Sequence, residues 1–133
     1  MFFALLFDSK HRVLLVRFGR ALTRPALEAL VQATREFVAV HGQCSGIVDF
    51  SAVEQVDVDI GYLRAYGASP RVMTGAKRVI VAPNDEVFGV ARLYGLHQSS
   101  SHGEEPLVVR DLPAACDLLG LEDPDFQTLE SAG

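Results

Sequence analysis

Residues 76–82, Ala-Lys-Arg-Val-Ile-Val-Ala, constrain the fold more tightly than any other stretch. Two basic residues lead into an unbroken apolar run, and Pro83 closes it. Val and Ile suit an extended, pleated backbone, and proline cannot donate into a sheet ladder. The stretch is predicted as a strand, and the segments on either side define the sheet around it.

FFALLF (2–7) and RVLLVRF (12–18) are apolar runs joined by Asp8-Ser9-Lys10-His11, the pattern of a β-hairpin. A helix follows. Thr23 is its expected N-cap and Pro25 lies in its first turn. Leu27, Leu30, Val31, Thr34, Phe37 and Val38 repeat at helical spacing, with Glu28, Gln32, Arg35 and Glu36 opposite. Gly42 supplies the stop, beside His41. CSGIVDF (44–50) reads as a short buried strand followed by a loop. The next helix begins near Asp57 or Asp59, turns Ile60 and Leu63 inward, and ends by Gly67, before Ser69-Pro70.

Beyond residue 82, Asn84 or Asp85 caps a third helix in which Val87, Ala91 and Tyr94 share a stripe, with Val90 beside them. Gly89 is expected to let that helix approach the sheet closely. PLVVR (106–110) is the last predicted strand. LPAACDLLGL (112–121) is a short helix with Leu112, Ala115, Leu118 and Leu119 on one side. The order β-β-α-β-α-β-α-β-α predicts an α/β fold. Its mixed sheet has four to five strands and an N-terminal hairpin, its later strands run parallel, and helices flank it. Residues 1–121 are expected to form one domain and 122–133 an acidic, loosely held tail.

Composition narrows the function classes. With 133 residues, 49% of them hydrophobic, the chain can bury a single core. A net charge of −5 disfavours nucleic acid and anionic membrane surfaces, both of which require a basic face. Apolar character at the start covers only residues 1–7, without a basic leader or cleavage site, so no signal peptide is expected. No apolar run approaches the roughly 18–20 residues of a membrane span. By elimination the expected compartment is the cytoplasm, with Cys44 and Cys116 as free thiols.

Three aspartates, Asp49, Asp57 and Asp59, crowd the stretch IVDFSAVEQVDVD (47–59). In a parallel sheet they gather with Asp85, Glu86 and Asp111 near the carboxyl edge, where ligands commonly bind. A divalent cation can use such carboxylates. Asp and Asn are also the preferred helix caps, and capping accounts for most of them without a ligand. No glycine-rich phosphate loop occurs, and an acidic rim disfavours phosphate. His97 and His102 stand five apart and do not share a helical face. Ser99–Ser101 reads as a loop with no nucleophile elbow around it. Arg17, Arg20 and Arg24 concentrate positive charge, with solvated surface as their expected role. Arg92, set among Phe88, Leu93 and Tyr94, is expected to form an intramolecular ion pair or to reach across an interface.

The path from IVDFSAVEQVDVD through AKRVIVAPNDEVFGVARLYGL to LVVRDLPAACDLLGL resembles the SpoIIAA-like proteins, most specifically at APNDEVFGVARLY (82–94). These small bacterial domains are related in fold to STAS domains, the anti-sigma-factor antagonist module, and to lipid-binding CRAL-TRIO domains. The resemblance implies a sheet flanked by helices, often paired as homodimers, and no known activity. In signalling STAS proteins an Asp-Ser pair begins the helix after the strand, and that serine is phosphorylated. Asp57 matches the aspartate here, but Val58 stands at the serine's place, and Ser51 lies in the loop.

The expected function is therefore a non-enzymatic STAS-like interaction module, homodimeric, with Phe88, Arg92, Leu93 and Tyr94 on its partner-binding face and no cofactor or metal. The alternative is a small apolar ligand held between helices and sheet, as in the related lipid-binding fold. A third reading is a metal-dependent hydrolase using Asp49, Asp57, Asp59 and Asp85.

Overall fold

The computed structural model describes residues 2–70, 72, 77–102 and 106–132. The chain forms β1 (Phe3–Asp8), β2 (Val13–Phe18), β3 (Ala21–Thr23), α1 (Arg24–His41), β4 (Ser45–Asp49) and β5 (Gln55–Asp57). It continues through α2 (Ile60–Ala68), β6 (Arg78–Val81), α3 (Asp85–His102), β7 (Leu107–Val109), α4 (Leu112–Leu119) and β8 (Gln127–Ala132). Six strands make the main sheet, in the order β7-β6-β4-β2-β1-β8. The hairpin β1–β2 is antiparallel, while β2–β4, β4–β6 and β6–β7 are parallel. This is the mixed α/β sheet with an N-terminal hairpin that the sequence implied.

Both faces of the sheet are covered, and strand parity decides which residue goes where. Leu14, Val16 and Phe18 of β2 join Ile80 of β6 under Leu27, Leu30 and Phe37 of α1 and Val87 and Ala91 of α3. Val13 and Leu15 point the other way, with Ile47, Val79 and Val81, against Ala115, Leu112 and Leu119 of α4. The helix ends agree with their local chemistry. Thr23 accepts from the Ala26 N–H at 3.2 Å, and Gly42, at φ +81°, donates to the Val38 carbonyl to close α1. Asp59 caps α2, Asn84 caps α3, and Asp111 caps α4.

Several expectations are corrected. Residues 55–57 are not loop. They form β5, parallel to β3 in a separate two-stranded sheet, and the Arg20 carbonyl accepts from the Glu54 and Gln55 N–H groups. At three residues each, these strands carry too little pattern to be read from sequence. The acidic end is not a loose tail either. The outer edge of β1 offers unpaired backbone groups, and β8 satisfies them antiparallel. Phe126 packs against the α4-side core. Ile60 is exposed, because it is the first residue after the Asp59 cap, and the inner side of α2 is set by Leu63 and Gly67. Leu118 is likewise exposed, and Ala115 is the buried residue of α4. Ser99–Ser101 is helical: α3 continues to His102, the Ser100 hydroxyl donates to the Leu96 carbonyl, and buried Gln98 donates to the Gly67 and Ser69 carbonyls. The predicted strand 76–82 is observed over Arg78–Val81, and its first residue, Ala76, lies outside the described residues.

Close helix contact is made by a different glycine from the one the sequence suggested. A Cβ on Gly89 meets nothing within 4 Å, and Gly89 is exposed. A Cβ on Gly67 would stand 2.6 Å from the His97 Cβ and 3.1 Å from the Tyr94 carbonyl oxygen. Gly67 therefore sets how closely α2 lies on α3. The two glycines should respond oppositely to alanine. Gly67→Ala should lower unfolding free energy by about 1–3 kcal/mol through overpacking. Gly89→Ala should raise it by about 1 kcal/mol through helix propensity. Urea denaturation of the two variants beside the parent chain checks both signs.

Candidate functional site

The acidic residues hold backbone and arginines. Asp49 is buried at the end of β4, where its Oδ1 accepts from the backbone N–H and the hydroxyl of Ser51 and its Oδ2 lies 3.9 Å from Arg17 Nε. Asp59 accepts from the Tyr62 N–H at 2.7 Å as the α2 cap. Asp85, in the first turn of α3, pairs with Arg110 at 3.1 Å. Asp57 lies exposed on β5. Capping and pairing thus engage Asp49, Asp59 and Asp85, and among the described residues no three His, Cys, Asp or Glu side chains converge as a metal site. Of the two residues offered for the α2 cap, the structure selects Asp59, and Asn84 is the α3 cap, with Asp85 and Glu86 in the first turn. Val58, one residue before the α2 cap, packs against the core.

The basic stretch is also engaged. Arg17 faces Asp49, Arg20 pairs with Glu54 at 2.8 Å, and Arg24 pairs with Glu28 at 3.1 Å while lying over the Tyr62 ring. Burial raises the pKa of both Cys44 and Cys116, which keeps the thiols protonated and poorly nucleophilic near neutral pH. His41 stacks on Phe37, with ring centroids 4.5 Å apart.

Asp8 is the most buried carboxylate among the described residues. Burial works to raise its pKa, but the His11 N–H, the His11 ring and the Asp125 N–H all reach its oxygens, and together they hold it below the usual carboxylate value. One side chain thus closes the hairpin turn and fixes the chain just before β8.

The four residues expected on a partner-binding face do not share one surface. Phe88 is half-buried beneath the Arg110 guanidinium, 3.9 Å from its ring centroid. Tyr94 turns inward, with its ring 5.4 Å from Tyr66 and its hydroxyl accepting from Arg78 Nη1 at 3.1 Å. Arg92 is exposed, and it makes no ion pair among the described residues. Leu93 is half-buried, and the outward stripe of α3 runs Gly89, Arg92, Leu96, Ser100.

Between α1, α2, α3 and the sheet lies an apolar cavity of about 150 Å³, and Arg78 and Tyr66 are among its lining residues. Its floor follows from the sheet register. Leu14 of β2, Gly46 of β4 and Arg78 of β6 form one row across the parallel strands, on the face that α1–α3 cover. Gly46 puts no side chain in the middle of that row, which leaves space beside Arg78. Leu30, Val48, Leu63, Val90 and Ala91 line other parts of the cavity. The wall hydroxyls of Thr34 and Ser69 already donate to backbone carbonyls of their own helices. Burial, helped by the neighbouring tyrosines Tyr94 and Tyr62, pushes the Tyr66 phenol well up, against the pull of the Arg78 charge, so Tyr66 keeps its proton. Arg78 Nη2 is buried and has no hydrogen-bond partner among the described residues. Sequence reading passed over Arg78, although its place two residues before Ile80 in a strand puts a cation on a covered face.

The fold and the cavity belong to one mixed α/β domain. No protein-family model matches the chain, and no curated protein matches it. Among solved structures it is similar to the anti-sigma factor antagonist SpoIIAA in its unphosphorylated form, with a TM-score of 0.51 and 13% identity, over 89% of this chain and 97% of that one. The chain therefore has a SpoIIAA-like fold, as the sequence resemblance implied.

The Asp8 interactions set an acid limit. A carboxylate with a depressed folded pKa contributes stability that is complete above its unfolded value, near 3.8, and lost as pH falls through the folded value. Asp8→Asn should be destabilising at about pH 7, and the gap to the parent chain should narrow below about pH 4. Denaturant titrations at the two ends of that range measure both.

Proposed function

We propose that this chain is a non-enzymatic, STAS-like interaction module. The observation that carries the reading is the SpoIIAA-like fold over 89% of the chain. The described acids support it, since Asp49, Asp59 and Asp85 already serve caps, a turn and ion pairs, which argues against the hydrolase alternative. The similar structure is that of an anti-sigma factor antagonist in an unphosphorylated form. In our reading this chain works without that kind of switch, because Val58 has no hydroxyl and the Ser51 hydroxyl is turned to Asp49. Among the described residues, no helix is long and apolar enough to cross a membrane, in keeping with a cytoplasmic setting.

The contact surface in this reading is the outward side of α3. Arg92 supplies an exposed guanidinium, Leu96 is 57% exposed one helical turn on, and Leu93 and Phe88 flank them. Arginine and large apolar side chains are frequent energetic centres of interfaces. Tyr94 is removed from the set by its inward position. A second copy of the chain is the proposed occupant of this side. Sedimentation should show a parent dimer, a monomer for Arg92→Glu combined with Leu96→Asp, and an unchanged dimer for Arg35→Glu on the exposed side of α1.

The cavity favours a second reading, a small apolar ligand held between helices and sheet. A pocket of this size lined mostly by Leu, Val and Tyr side chains favours an apolar occupant over water. Native mass spectrometry of protein purified under mild conditions should detect a retained small molecule that solvent extraction releases.

A further inference from the structure

We propose that the cavity is selective for a small apolar monocarboxylate, whose head group sits against Arg78 Nη2. This inference rests on the ligand-binding reading and adds the chemical class of the ligand.

Size comes first. At about 150 Å³ the cavity matches voids that take up benzene-sized molecules, so the apolar body is a ring or a short alkyl chain. That volume does not enclose a long-chain lipid tail whole. Charge is the second constraint. An arginine keeps its charge in any protein, and a buried guanidinium nitrogen without a partner is costly. Nη1 is engaged by the Tyr94 hydroxyl, while Nη2 is buried without a hydrogen bond among the described residues. No carboxylate lines the cavity among the described residues. The groove left by Gly46 in the row Leu14–Gly46–Arg78 lets a ligand lie along the sheet with its head at Arg78.

The third constraint is the kind of anion. One guanidinium balances one negative charge. A phosphate monoester brings close to two, and the excess would be buried among Leu14, Val48 and Ala91 with nothing to pair it. A planar carboxylate also matches the edge of a guanidinium. Tyr66, which lines the cavity and stays protonated, offers a hydroxyl to the same head group. Thr34 and Ser69 do not compete, because their hydroxyls are bound to backbone.

The test is calorimetric titration of the full chain with hexanoate, hexan-1-ol and hexyl phosphate, which share one tail, and with palmitate as the oversized probe. The expected order is hexanoate tighter than hexan-1-ol by about tenfold or more, the scale of a charge-assisted hydrogen bond. Hexyl phosphate should be weaker than hexanoate, and palmitate should not bind. Arg78→Gln should bring hexanoate down to the level of hexan-1-ol and leave hexan-1-ol unchanged, while Arg78→Lys should keep part of the preference. Equal binding of hexanoate and hexan-1-ol by the parent chain overturns the role of Arg78 and leaves the cavity reading intact. Tighter binding of hexyl phosphate overturns the carboxylate assignment. Failure of all the six-carbon probes to bind overturns the cavity reading as well. The comparison within the parent chain holds even if Arg78→Gln does not fold.

Discussion

The structure depends on the two-sided burial of its central parallel strands. β2, β4 and β6 carry apolar side chains toward both faces, so a single covering layer would leave one face wet. Helices α1, α2 and α3 take one side and α4 takes the other. The tight packing of α2 on α3 follows from this arrangement. Both helices share one side of the sheet, and Gly67 is the residue that lets their backbones come close enough. Buried Gln98 then fastens them, by donating to the carbonyls of Gly67 and Ser69 where α2 ends.

Acidic residues at the ends of strands are ambiguous in sequence because one chemistry serves two purposes. A carboxylate that can bind a cation can equally accept the free N–H groups of a helix start. Here the second use prevails at Asp59 and Asp111, and Asn84 does the same for α3. Asp49 organises the turn after β4, and Asp8 does so between β1 and β2 while also holding Asp125. These carboxylates stabilise the junctions that carry the sheet. A substitution made to look for catalysis at Asp49 would therefore disturb the fold first.

The cavity arises from register, not from any unusual residue. A glycine between a leucine and an arginine is unremarkable along the chain. It becomes a gap only when parallel pairing places Leu14, Gly46 and Arg78 side by side under the helices. The same pairing puts a cation where no acid faces it among the described residues. Burial of an unpaired guanidinium nitrogen opposes stability.

The sequence by itself determined the hairpin, the four helices with the cap and stop of α1, and the parallel strands of the main sheet. Those features come from local periodicity and from residues such as Thr23, Gly42 and Pro83 that act on their own backbone. Tertiary structure alone decided which of Asp57 and Asp59 caps α2, that Tyr94 turns in while Arg92 and Leu96 face out, and that residues 127–132 close the sheet edge. Only it placed Arg78 in a cavity. These outcomes depend on which strands lie side by side and how far one helix leans on another, relations between separate elements that local spacing does not encode.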